Sequence, residues 1–326
     1  AITAASTGML ISNHSYGYGM RDVNGNPQLP PLWLGGYIND SRNWDNIMYN
    51  APYYLMMVAA GNDGNDDGGN TSPLDGNTAY DKLSGHATAK NNLVVANAND
   101  ANINGDGSLN SVSKNSSSSE GPTDDYRIKP DITGNGTQLY STYETSDTAY
   151  NSITGTSMAS PNVAGSLLLL QEHYQNLHGA FMRASTLKGL ALHTADDAGS
   201  NGPDAHFGWG LLNTKKAAET LTIAASSSGS AIVEELILSQ GDTYQITVQS
   251  NGVDPLMASI SWTDIGGTIQ TVTNDNTSRL VNDLDIRLDN GTNYTPWRLT
   301  GVTTNGTGDN DVDPYERVDV NGASGS

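Results

Sequence analysis

The stretch Gly155 to Gly165 (GTSMASPNVAG) sets one serine where it could act as a nucleophile. Ser157 follows a glycine-led turn and enters an apolar helical run. A serine there stands at a helix N-terminus, where unpaired N–H groups and the helix dipole favour negative charge. Attack on a carbonyl needs that environment, because it creates an oxyanion. A serine before a helix more often serves as a cap. Here Gly155 keeps side-chain bulk away from the hydroxyl. Ala159, Ser160, Ala164 and Gly165 allow close packing, and Pro161 falls in the first turns, where a missing N–H costs little.

A second constellation is AAGNDGN, Ala59 to Asn65. An apolar strand runs into a glycine turn with Asn62 at its tip. The asparagine amide could donate to a developing oxyanion beside the Ser157 N–H, giving a two-donor hole. An Asn after Gly more commonly stabilises its own turn, so the pairing with the serine stretch carries the expectation.

Both constellations need a rigid support. Thr7 to Asn13, Leu55 to Ala60 and Asn92 to Asn97 read as strands, the last two continuously apolar. Such strands flanked by helices predict a parallel sheet covered on both faces. Helices are expected over Asp45 to Asn50, Ser157 to Leu177, Ser185 to Thr194 and Thr214 to Thr220, the last capped by Asn213. Small residues around 222 to 230 mark a linker. Beyond it Thr243 to Val248, Met257 to Trp262, Leu284 to Leu288 and Arg317 to Val320 alternate like an antiparallel sandwich or jelly roll.

Composition narrows the function. The 326 residues include 35 acidic and 15 basic ones, for a formal charge of −20. That argues against nucleic acid and against an anionic membrane surface. There is no cysteine, hence no disulfide and no thiolate metal site. Acidic loops invite calcium, which takes oxygen ligands. Asp63, Asp66 and Asp67 lie in one such loop, and Asp283 with Asp285, then Asp309, Asp311 and Asp313, lie in others. The set Asp283, Asp285, Asp309, Asp311 and Asp313 is the candidate structural calcium site, against a plain solvated surface. Trp209, Trp262 and Trp297 are read as core anchors rather than a sugar-binding face.

GTSMASP and AAGN, in this order, resemble the subtilisin-like serine proteases. SNHSYGYG (Ser12 to Gly19), HATAKNNLVVANAND (His86 to Asp100), SSSEGPTDDYRIKPDITGNG (Ser117 to Gly136) and GPDAHFGWGLLNTKKA (Gly202 to Ala217) are similar to further stretches of that family, over roughly residues 8 to 220. The resemblance implies a subtilisin-like α/β domain over residues 1–222, with its N-terminal part expected before Ala1, and a β-sandwich over residues 223–326. It implies a secreted or cell-surface bacterial endopeptidase acting on polypeptides through an acyl-enzyme. Ser157 would be the nucleophile and Asn62 the oxyanion donor. Ser15, Tyr16, Gly17, Ala59, Ala60 and Gly61 would bind substrate.

The family's triad runs Asp, His, Ser along the chain. The Asp and His segments would precede the substrate strand, so they are expected upstream of this chain. His14, His86, His173, His178, His193 and His206 are read as structural or surface residues. The chain alone is therefore expected to be inactive. The alternative is a non-catalytic fragment or pseudoenzyme serving as a binding module.

Overall fold

The computed structural model describes residues 2–226 and 228–325. After a short helix, α1 (Ile2–Ser6), strand β1 (Ile11–His14) leads to α2 (Asn39–Tyr49), β2 (Leu55–Ala59) and β3 (Leu93–Ala98). A hairpin of β4 (Asn102–Ile103) and β5 (Leu109–Ser111) precedes β6 (Ile132–Asn135). A second hairpin, β7 (Leu139–Thr142) and β8 (Tyr150–Ile153), leads into α3 (Thr156–His178). Helices α4 (Ala184–Thr194) and α5 (Thr214–Ala224) follow.

The central sheet is parallel, in the order β1-β2-β3-β6. Ile11 pairs with Leu55, Met57 with Leu93 and Val95 with Ile132. The apolar runs follow from burial on both faces. Alternate side chains point opposite ways. Leu55, Met57, Leu93 and Val95 join the core under α3, α4 and α5. Met56 packs with Met48 and Tyr54 beside α2, and Val58 and Val94 pack with Leu83 and Ala87.

Helix α3 lies across all four strands. Its 23 residues span about 35 Å at 1.5 Å per residue. Val163, Leu167 and Leu170 face the sheet and are buried. The helix ends at Gly179, whose φ of 74° is left-handed and whose N–H bonds to Gln175 O. Asn213 caps α5 by accepting from the Lys216 N–H, as expected.

Among the described residues, the chain from residue 228 onward forms four two-stranded antiparallel ribbons. These pair β9 (Ser250–Asn251) with β16 (Ser324–Gly325), β10 (Leu256–Ser261) with β15 (Tyr315–Val320), β11 (Leu288–Asp289) with β12 (Asn293–Tyr294), and β13 (Trp297–Gly301) with β14 (Thr304–Thr307). Small antiparallel sheets therefore stand where a sandwich is expected. No strand forms over Thr243 to Val248, whose Tyr244 and Ile246 are exposed; alternation gives a strand its period but not a partner to pair with. The strand expected from Leu284 is reduced to Leu288–Asp289. The Ile286 N–H goes to a Glu316 carboxylate oxygen instead of a neighbouring strand.

This C-terminal region packs on the α/β region. Leu299 and Tyr315 belong to the main core. A Cβ at Gly189 of α4 would come within 2.8 Å of Ser261 Cβ, so the glycine lets β10 lie directly on the helix. Lys90, fully buried, forms an ion pair with Asp264 and donates to Ile265 O and Arg279 O.

Candidate active site

The first turn of a helix has N–H groups without intrahelical partners. In α3 three of the first four are taken up. Met158 and Ala159 donate to Gly155 O. Thr156 donates to the Asn62 side-chain oxygen at 3.0 Å, and its hydroxyl donates to the same oxygen at 3.1 Å. Among the described residues the Ser157 N–H has no hydrogen-bond partner.

Asn62 sits just past the end of β2, on a turn that needs its glycine. Gly61 has φ +111°, and a Cβ there would lie 2.7 Å from Ser119 Oγ. The Gly61 N–H donates to Thr156 Oγ1 at 3.2 Å. Thr156 thus ties the turn to the helix, and it is fully buried. With its oxygen held twice by Thr156, Asn62 leaves its NH2 group without a partner among the described residues. The two open donors at this corner are the Asn62 amide and the Ser157 N–H.

β1 supplies the third side. Ser157 Oγ faces Ser15 O at 3.5 Å, and Ser15 Oγ donates to Ser157 O at 3.0 Å. The second bond has a cause in the helix. The carbonyl of Ser157 would normally accept from the residue four places on, which is Pro161 and has no N–H. Ser15 supplies the missing donor.

The structure therefore brings Ser15, Asn62 and Ser157 together at the carboxyl ends of β1 and β2. This is where open α/β sheets bind ligands. Tyr16 and Gly17 continue from Ser15. Among the described residues Gly17 has neither its N–H nor its C=O engaged, while Tyr16 O and Tyr18 O take bonds from His86 and Ser84. Ala59, Ala60 and Gly61 are less open. Ala59 pairs with Val95, the Ala60 N–H donates to Val95 O, and Gly61 O accepts from Ser119. Those three residues form a wall rather than a free strand edge.

No histidine hydrogen-bonds to Ser157 among the described residues. His14 has both ring nitrogens engaged, with Ser12 Oγ at 2.7 Å and Tyr16 OH at 2.6 Å. Burial first, and the neighbouring His86 second, push His14 down to about 4, so it is neutral at pH 7. Trp44 stacks on His86 with ring centres 4.3 Å apart and meets His14 edge-on. This cluster backs the segment carrying Tyr16. Neither Thr156 nor His86 stands out in sequence, although Thr156 is adjacent to the serine and part of the same motif.

The acidic residues separate. Burial first, and then neighbouring Asp309, raises the Asp285 carboxyl, and Arg287 lies 3.4 Å from Asp309. Burial, then repulsion from Asp285, Asp311 and Asp309, raises Asp283. Glu316, missed by sequence reasoning, is buried beside them. Burial and then the Asp285 and Asp283 charges push it up to about 8. Asp313 is elsewhere, with its carboxylate bonded to the Ile128 N–H and to Asn310. Among the described residues no three acidic or histidine side chains converge as a metal-binding group. In the loop after Asn62, Asp66 pairs with Arg21 and Asp67 with Lys82.

Residues 1–210 match the profile of the Subtilase family (Peptidase_S8). The chain belongs to the subtilase family. Its parallel sheet, with helices on both faces, is the subtilase α/β fold. Minor extracellular protease Vpr of Bacillus subtilis is 32% identical over 149 residues, which are 41% of this subtilase and 18% of Vpr. The PII-type proteinase of Lactococcus lactis subsp. cremoris is 41% identical over 75 residues, 23% of this chain and 4% of that one. The chain thus spans a small part of the relatives it matches. The self-cleaved protease domain of PatA superposes with a TM-score of 0.48 at 20% identity, covering 68% of this chain and 64% of that one. No helix among the described residues is long and apolar enough to cross a membrane.

Proposed function

We propose that this subtilase region is the nucleophile-bearing part of a secreted bacterial serine endopeptidase. The observation that carries the reading is the corner where Ser157, its own open N–H and the unpartnered Asn62 amide meet. In the proposed reaction Ser157 Oγ attacks the carbonyl carbon of a peptide bond. The carbonyl oxygen takes the negative charge and receives two hydrogen bonds, from the Ser157 N–H and Asn62 Nδ2. The serine proton passes to a histidine base and then to the leaving amine. Water hydrolyses the resulting acyl-enzyme.

That histidine and its aspartate are proposed to come from sequence preceding Ala1. Two things support this: the family's order of triad residues, and the engagement of His14 away from Ser157. Without a base the hydroxyl is a weak nucleophile, so the chain by itself should be inactive. Substrate would lie extended along Ser15 to Gly17, using the open N–H and C=O of Gly17. Ala59 to Gly61 would form the opposite wall.

A fluorophosphonate label tests the reading. The isolated chain should label slowly or not at all, and the whole encoded protein should label at Ser157. Whole protein that folds and leaves Ser157 unlabelled would favour a non-catalytic binding module.

Structural calcium is proposed for the C-terminal acidic loops, around Asp283, Asp285, Asp309 and Asp311. The supporting observation is Glu316 Oε1, buried without a partner beside those carboxylates. Calorimetric titration of chelated protein, repeated with the Asp285→Asn/Asp309→Asn variant, checks it. Equal binding by the two proteins would remove the proposal.

A further inference from the structure

A second pair of carboxylates lies far along the chain from Ser157, and nothing in the peptidase reading uses it. Asp81 and Asp124 are both fully buried. In each, one oxygen is well supplied with donors. Asp81 Oδ2 accepts from the Leu74 N–H at 3.0 Å and from Asn70 Nδ2 at 2.8 Å. Asp124 Oδ2 accepts from Gln270 Nε2 and from the Asn274 N–H at 3.0 Å. The other oxygen of each, Oδ1, is buried with no hydrogen-bond partner.

Those two bare oxygens converge. A Cβ built on Gly35 would lie 2.2 Å from Asp81 Oδ1 and 2.4 Å from Asp124 Oδ1. Both oxygens therefore crowd over one glycine, within reach of a single bridging ion. Gly35 (φ +70°) is the residue that leaves room for them. Asn274 adds a third oxygen in the same neighbourhood. Its N–H holds Asp124, its NH2 donates to Ser72 O and Pro73 O, and its Oδ1 is buried and unpartnered.

No cation forms an ion pair with either carboxylate among the described residues. Arg127 pairs with Asp125 and donates to Thr88 O, leaves its Nη2 buried without a partner, and its charge offsets only part of the burial cost at Asp124; Lys82 donates to Gly64 O and Asp67. Burying two carboxylates this close without compensation is costly. Burial first, and then the Asp124 charge, raise the Asp81 carboxyl. Burial is also the main cause that pushes Asp124 up to about 6. Yet every protein group facing their Oδ2 atoms is a donor, which suits the ionised form of both.

We infer that Asp81 and Asp124 hold a calcium-type cation between their Oδ1 atoms, with Asn274 Oδ1 as a further ligand. The donors are all hard oxygens, with no nitrogen or sulfur, which is calcium's preference. The ion would tie the loop at residues 70–82 and the segment at 121–125 to the C-terminal residues 270–274.

The test is calcium binding to the chelated full chain, read by calorimetry and by thermal unfolding. The Asp81→Asn/Asp124→Asn variant should bind one calcium fewer than the unaltered protein. It should also lose most of the calcium-dependent rise in melting temperature. The Asp285→Asn/Asp309→Asn variant should keep that ion, which separates the two acidic regions. Equal stoichiometry in the unaltered and Asp81/Asp124 proteins would overturn the assignment. So would stabilisation by sodium or potassium with none from calcium, or stability higher in the variant with no response to calcium, the mark of a shared proton. Should the variant not fold, crystals of unaltered protein grown with terbium decide. An anomalous peak between the two carboxylates is expected, and no peak there rejects the site. No readout depends on peptide hydrolysis, so this inference stands or falls apart from the peptidase reading.

Discussion

The side-chain oxygen of Asn62 accepts two hydrogen bonds from Thr156, one from its N–H at 3.0 Å and one from its hydroxyl at 3.1 Å. An amide held by its oxygen has its NH2 group aimed by default. Thr156 is therefore a positioning residue for the proposed oxyanion donor. Its hydroxyl also accepts from Gly61, so one side chain fixes both the turn and the amide.

Thr156→Ala in the whole, active protein should lower kcat with little change in KM, because the lost alignment matters where charge develops. Removal of the oxyanion asparagine itself costs ~10²–10³ in kcat in subtilisin, a member of this family, and that magnitude is subtilisin's own. Thr156→Ala should fall below that, and Thr156→Ser should recover most of the loss. Steady-state kinetics on a peptide substrate decide it. A rise in KM alone would contradict the positioning role.

Ser15→Ala should destabilise the fold, since it leaves Ser157 O without a donor across from Pro161. Loss of one hydrogen bond to a partly buried carbonyl is worth ~1 kcal/mol. Denaturant unfolding of the chain reports it. A Ser15→Ala/Pro161→Ala double variant should recover part of the loss, because replacing the proline restores an N–H four residues on. Strict additivity of the two substitutions would show that the bond and the proline are unrelated.

The buried carboxyl of Asp313 is pushed up to about 7, chiefly by burial. An acid whose folded value is raised binds its proton more tightly in the native state. Its contribution is therefore present at low pH and is lost as pH rises from about 4, the unfolded value, to about 7. Relative to Asp313→Asn, the unaltered chain should lose on the order of a few kcal/mol across that window. Unfolding free energies measured from pH 4 to 7 for both proteins give the comparison. Parallel curves would show that Asp313 titrates normally.

Lys90→Met should loosen the C-terminal region. It removes the ion-pair partner of buried Asp264 and the donor to Ile265 O and Arg279 O. Stranding a buried carboxylate costs ~3–5 kcal/mol. Limited proteolysis should then cut within residues 264–282 before cutting the parallel sheet. Simultaneous loss of both regions would mean that the two unfold as one unit.

Much of the α/β region is readable from sequence because its strands are buried on both faces. LMMVA and LVVANA are apolar at nearly every position, the pattern that two-sided burial asks for. The long helix is equally plain from its glycine-led start and its length. The C-terminal ribbons are harder. Alternation in TYQITV is as regular as in MASISW, but only the second finds a partner, β15. Asp313 shows the same limit. In sequence it is one more acid of an acidic loop, yet it lies apart from Asp309 and holds Ile128.

Family, serine, asparagine and the strands that carry them are all legible in the amino-acid order, since local motifs and burial patterns are written residue by residue. Three matters wait on the folded chain: which donors stay open, which carboxylates face one another, and where the C-terminal region docks. Those depend on contacts between distant segments, such as Asn62 with Thr156, Asp81 with Asp124 and Lys90 with Asp264. No local pattern encodes such meetings, because each is fixed by the packing of the whole sheet and its helices.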